Sequence, residues 1–166
     1  MDAYLRKEYI MKYKGPMLVV KDIEKSKEFY TKVLQIRIIS DLGVNVTFTG
    51  GLSLQTEESW RQFTNCKQNF FTYQGNVVEF YFEEEDFDSF IERIKNENVD
   101  TLEGVTTMPW GQKIIRFYDP DKHIIEVGED LAVMIKRLYK DGMSIDQLVE
   151  KTYMKKGIIE RMLKKA

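Results

Sequence analysis

Apolar and polar positions follow two regimes along this chain, one strand-like up to about residue 129 and one helical beyond it. Near the front, PMLVVKDIEKSKEFYTKVL reads as a short apolar strand ending at Val20. Asp22 is then placed to cap a helix whose Ile23, Ser26, Tyr30, Val33 and Leu34 share one face. Later, VVEFYFEEEDFDSFIERIKNENV repeats the design, with an apolar strand, a capping Asp86, and Phe87, Phe90, Ile91 and Ile94 at amphipathic-helix spacing. The two stretches superpose with an offset of 64 residues, Asp22 onto Asp86.

Three strand candidates follow each helix. The first set is IRIIS, VNVTF and GLSLQ, separated by the turn signals Asp41-Leu42-Gly43 and Gly50-Gly51. The second is TLEGVTT, QKIIRFY and HIIEVG, with Trp110-Gly111 and Asp119-Pro120-Asp121 between them. Both halves therefore read βαβββ. Such a repeat predicts an α+β fold in which the two copies, residues 13–56 and 76–129, pack as one domain over 13–129.

Beyond Glu129 the spacing turns helical. Leu131, Met134, Ile135 and Leu138 form one stripe, Asp141-Gly142 breaks it, and Ser144 caps a second helix with Ile145, Leu148 and Val149. Ile158, Ile159, Met162 and Leu163 mark a third. This three-helix extension, residues 130–166, has the spacing of a helix-turn-helix, although Tyr153 stands where the tight turn calls for glycine. Residues 131–166 carry a net +5 and residues 1–130 a net −7, within an overall −2, so the extension is a basic appendage on an acidic body. Nucleic-acid contact through residues 131–166 is open on charge alone, while a packing or dimerisation role is the commoner use of such helices.

The run VVKDIEKSKEFYTKVL, together with FYDPDKHIIEV near the end of the second unit, resembles the vicinal-oxygen-chelate superfamily, which includes glyoxalase I, bleomycin-resistance proteins and extradiol dioxygenases. The resemblance implies a glyoxalase-like curved sheet whose paired units enclose a cup. In metal-using members each unit gives one ligand from its first strand and one from its last. Carried onto this chain, those positions are Gly15 and Glu79, then Gln55 and Glu126. Gly15 offers no side chain, so the resemblance implies either no cofactor or a weakly bound divalent metal held by Glu79, Gln55 and Glu126. It leaves the reaction open, since the superfamily hosts lyases, oxygenases, transferases and pure binders.

Strand parity bears on the two glutamates. Positions 77, 79, 81 and 83 read Val, Glu, Tyr, Glu, against Val, Phe, Phe at 78, 80 and 82, so the even face is core and the odd face is wetter. Glu126 stands on the same kind of face, opposite Ile125 and Val127. Two acids sharing a cup without metal raise at least one pKa, which makes Glu126 and Glu79 candidate general acid-base residues. Tyr81, Trp110, Tyr118 and Phe48, with Trp60 in the loop after the first unit, are candidate walls of a small-molecule pocket, although most aromatics build core. Arg116 reads equally as a cation for an anionic substrate or as a solvent-facing strand arginine. His123, the one histidine, has the wrong parity to join Glu126 and reads as a turn residue.

Composition narrows the setting. At 166 residues, 43% hydrophobic and 31% charged, the chain has the make-up of a globular protein. One cysteine, Cys66, allows no internal disulfide, and no stretch reaches the roughly 20 apolar residues of a membrane span, so a cytoplasmic, reducing location is expected. Residues 1–12 read as a leader without a fixed structure. Three readings follow: a small-molecule binder with an incomplete metal site, a metal-dependent lyase or dioxygenase, and a ligand-responsive DNA-binding protein. A homo-oligomer is expected in each.

Overall fold

The computed structural model describes residues 11–66 and 70–164, so the expected leader lies almost wholly outside the described residues. The chain divides between Lys67 and Gln68 into two compact units.

The first unit contains β1 (Met17–Val20), α1 (Ile23–Lys32), β2 (Ile38–Asp41), β3 (Asn45–Phe48), β4 (Ser53–Thr56) and α2 (Glu57–Thr64). Its four-stranded sheet has the order β1-β4-β3-β2, with β1 parallel to β4 and the other pairs antiparallel. Asp22 starts α1 by accepting from the Lys25 amide at 3.0 Å, which satisfies one of the donors a helix N-terminus leaves bare. One sheet face supplies Leu18, Val20, Val46, Phe48 and Leu54 to the core, where Tyr30 of α1 and Val33 at its C-cap also lie. The Tyr30 and Phe48 rings lie 5.6 Å apart, and each side chain of this size contributes roughly 1.5–3 kcal/mol through burial.

The sequence reading missed α2. Trp60, expected in a loop, lies on this helix. Its start was legible: Thr56 accepts from the Ser59 amide at 3.2 Å, and Glu57 and Glu58 place negative charge in the first turn.

The second unit repeats the arrangement with β5 (Glu79–Glu84), α3 (Phe87–Asn96), β6 (Thr106–Thr107), β7 (Lys113–Tyr118) and β8 (Ile124–Glu129), in the order β5-β8-β7-β6. Asp86 caps α3 through the Ser89 amide at 3.2 Å, and Phe87, Phe90 and Ile94 turn inward against Phe117 and its neighbours. The expected strand TLEGVTT shrinks to two residues plus a bridge from Thr101 to Phe117. Glu103 and Gly104 are poor strand formers, and they interrupt it.

The three C-terminal helices form as read: α4 (Leu131–Lys140), α5 (Ile145–Thr152) and α6 (Lys156–Lys164). Met134, Ile135, Leu138, Leu148 and Ile159 make their own buried cluster. Ser144 and Gln147 complete a reciprocal capping box at the start of α5. Tyr153 itself adopts the left-handed conformation of the turn, φ 57°, and is 93% exposed, so the tyrosine does the backbone work expected of glycine.

The helices are fastened to the sheet. Arg137 of α4 donates to both oxygens of the buried Glu129 carboxylate, at 2.8 and 2.6 Å, and to the Gly111 carbonyl at 2.8 Å. A forked pair of this kind is both strong and directional. Among the described residues, no helix is long and apolar enough to cross a membrane.

Candidate functional site

Each sheet turns one face to its helix and leaves the other face to side chains of a different kind. On the second sheet, register aligns Tyr81 of β5, Glu126 of β8 and Arg116 of β7 in one row across three strands. Glu79 lies two residues before Tyr81 on the same face, and Glu83 two residues after it. The Leu102 amide donates to the Arg116 carbonyl at 2.9 Å, which brings Glu103 beside the same arginine.

Arg116 is the centre of this group. Its Nε donates to Glu79 Oε2 at 2.8 Å, its Nη1 to Glu103 Oε1 at 3.4 Å, and its Nη2 makes a close ion pair with Glu126 Oε2. Glu126 Oε2 is buried and meets the guanidinium as an ion pair, without the angular geometry of a hydrogen bond. Burial pushes the Glu126 carboxyl above its ordinary value; the charge of Glu79 adds to the rise, and Arg116 opposes it.

A second network adjoins the row. The Gln112 amide donates to the Tyr81 hydroxyl at 2.7 Å and to the Glu129 carbonyl at 2.8 Å, and its oxygen accepts from Trp110 Nε1 at 2.9 Å. Tyr81 in turn donates to Glu83 at 2.9 Å. Burial pushes the Tyr81 phenol up to about 12, with Gln112 opposing the rise and Glu83 reinforcing it. Gly128 leaves space for this network: a Cβ there would stand 2.6 Å from Gln112 Nε2 and 3.1 Å from the Tyr81 hydroxyl.

The expected site residues fare differently. Glu79, Tyr81, Arg116 and Glu126 come together, and Trp110, 37% exposed, joins them through Gln112. Phe48 does not belong with a pocket wall, because it is wholly buried against Tyr30 in the core of the first unit. Arg116 is not a free cation on its strand, since carboxylates of its own chain face all three of its nitrogens. Tyr118 accepts from Asn76 at 3.3 Å and lies under Lys122. His123 is a turn residue: Asp119 accepts from its amide and pairs with its Nδ1, each at 2.8 Å. Cys66 is half-buried.

Gln55 needs a correction. With Asp22 set on Asp86, Met17 pairs with Ser53 where Tyr81 pairs with Glu126, so Ser53 is level with Glu126 and Gln55 is level with Gly128. The sequence alignment carried the strand by 71 residues; the register requires 73. Gln55 is buried, accepting from Asn45 at 3.5 Å and donating to Ser59 at 3.2 Å. Gly15 has φ +119°, and a Cβ on it would fall 2.0 Å from the Gly51 carbonyl oxygen.

Gln112, Glu103 and Glu83 were missed. Gln112 lies just before the β7 run and carries no periodic signal, whereas Glu83 was legible from its shared parity with Glu79 and Tyr81. Among the described residues, no group of three or more histidine, cysteine or acidic side chains is arranged to hold a metal.

Two four-stranded sheets of identical order, each with its helix inserted after the first strand, define an α+β fold of the glyoxalase-like class. Residues 13–132 match the glyoxalase-like domain family, and the chain belongs to that family within the vicinal-oxygen-chelate superfamily. It is 32% identical over 109 residues to the metallothiol transferase FosB of Staphylococcus saprophyticus, covering 65% of this chain and 70% of that protein. Among solved structures, it is similar to a protein of unknown function from Agrobacterium tumefaciens, with 32% identity, a TM-score of 0.65, and coverage of 73% of this chain and 95% of that one. A glyoxalase/bleomycin resistance protein/dioxygenase from Nocardioides shares the fold at 22% identity and a TM-score of 0.58, over 73% of this chain and 86% of its own.

Proposed function

We propose that this chain binds a small organic molecule on the open face of its second sheet and does so without a complete metal site. One observation carries the reading: the position of the first unit that aligns with Glu79 is Gly15, two residues before β1, which has neither a side chain nor room for one. A divalent ion of the kind used in the superfamily needs several oxygen or nitrogen donors with a position left open for substrate. Here the position level with Glu126 is Ser53, whose hydroxyl meets Thr47, the neighbouring Gln55 amide is engaged by Asn45 and Ser59, and Glu79 and Glu126 share a guanidinium. What this face offers a ligand is the half-exposed ring of Tyr81, the Trp110 indole and a carboxyl, Glu126, poised to accept or hold a proton.

Thermal-shift screening of organic compounds in the presence of chelator tests the reading. Ligands that bind the folded state should raise the melting temperature, and Tyr81→Ala or Trp110→Ala should abolish the shift while leaving the fold intact. Stabilisation by divalent metals alone, with no organic ligand found, would overturn it.

A second reading, a metal-dependent transferase or lyase, is favoured by the 32% identity to a protein named as a metallothiol transferase. Under that reading, protein purified without a chelating tag carries near-stoichiometric metal that is lost in Glu126→Ala.

A further inference from the structure

We propose that Arg116 is the resident cation of this site, holding between Glu79 and Glu126 the place that a bridging divalent ion would have to take. The inference rests on the metal-independent reading above and assigns a residue to it. The three guanidinium nitrogens each face a different carboxylate, Nε to Glu79, Nη1 to Glu103 and Nη2 to Glu126. The oxygens in the two strand contacts are Glu79 Oε2 and Glu126 Oε2, the atoms that a bridging ion would need at roughly 2.0–2.6 Å. A planar fork with fixed donors suits this task better than a point charge would.

The backbone keeps the arginine in place. Arg116 is the cross-strand partner of Glu126 on β7, and its carbonyl accepts from Leu102, which holds Glu103 on the third nitrogen. Moving the side chain away would leave three carboxylates facing one another, one of them buried. A metal therefore has to displace a cation that three acids hold, and the two positive charges repel if both stay. Arg116 is on this account a positioning residue: it fixes the two acids without an exchangeable ion, and its own nitrogens are not left free for an anionic ligand.

The test uses Mn²⁺ alone on the full chain, followed by calorimetric titration and by the urea midpoint, in wild type, Arg116→Met, Arg116→Lys and the double variant Arg116→Met with Glu126→Gln. Wild type and Arg116→Lys should show no saturable binding and no shift in midpoint. Arg116→Met should bind Mn²⁺ saturably, at least about tenfold more tightly than the weakest affinity the titration resolves, and regain stability when it is added, and the double variant should lose that gain. Arg116→Gln provides the same comparison in case the methionine variant does not fold. Saturable, Glu126-dependent Mn²⁺ binding by wild type would overturn the assignment, as would a folded Arg116→Met or Arg116→Gln that gains nothing. Neither result touches organic-ligand binding measured in chelator, so the two readings fail separately.

Discussion

The two units share one plan and differ on one face. In each, an aspartate caps the helix, the helix covers an apolar sheet face, and the fourth strand runs parallel beside the first. The row that reads Tyr81, Glu126 and Arg116 in the second unit reads Met17, Ser53 and Thr47 in the first. Where Arg116 and Glu126 form an ion pair, Thr47 and Ser53 share a neutral hydroxyl contact at 3.2 Å. The positions aligned 64 residues apart diverge as sharply, Glu79 on β5 against a Gly15 that precedes β1 and is pressed onto Gly51. What forms the fold is repeated, and what could meet a ligand is not. On this face the facing charges, Glu79, Arg116 and Glu126, belong to the second unit.

The sharpest way to break the comparison is at Gly15 and Glu79. Gly15→Ala should destabilise the chain by about 3 kcal/mol in urea denaturation, because the new Cβ meets a carbonyl and the backbone stands at positive φ. Glu79→Ala, at the equivalent exposed position, should change stability by less than about 1 kcal/mol. Equal effects would mean that the two positions are not related as the repeat implies.

The shared row comes next. Arg116→Ala should cost about 2–3 kcal/mol by stranding the buried Glu126 beside Glu79, whereas Thr47→Ala should cost about 1 kcal/mol or less. The pH dependence follows from the same acid. A carboxyl whose folded pKa lies above its ordinary 4.5 contributes stability that is fully present below 4.5 and is lost as pH rises through the folded value. Glu126→Gln should flatten that part of the stability profile, and Ser53→Ala should leave it unchanged.

The smallest effect concerns two left-handed helix ends. Asn65 closes α2 at φ 51° and Tyr153 closes α5 at φ 57°. Asparagine adopts this conformation at less cost than tyrosine, so Tyr153→Gly should gain about 1 kcal/mol in thermal unfolding and Asn65→Gly only a few tenths. A loss on Tyr153→Gly would show that the exposed ring has a role of its own.

Much of the architecture was readable residue by residue. The caps at Asp22, Asp86 and Ser144 and the buried faces headed by Tyr30, Phe90 and Leu148 follow from spacing alone. Helix α2 is legible from Thr56 and the acids of its first turn. The site was half legible. Parity put Glu79, Tyr81 and Glu126 on wetter faces, but parity cannot say which strand stands beside which, or in what register.

Sequence by itself determined the repeat, its caps, the apolar faces and the helical turn taken after Glu129, because these depend on neighbours within a few residues along the chain. Only the tertiary structure decided that Arg116 lies against Glu126, that Ser53 and not Gln55 is level with it, and that Phe48 is core. Those outcomes depend on cross-strand register between residues tens of positions apart, where a slip of two residues keeps every side chain on its face and changes every partner.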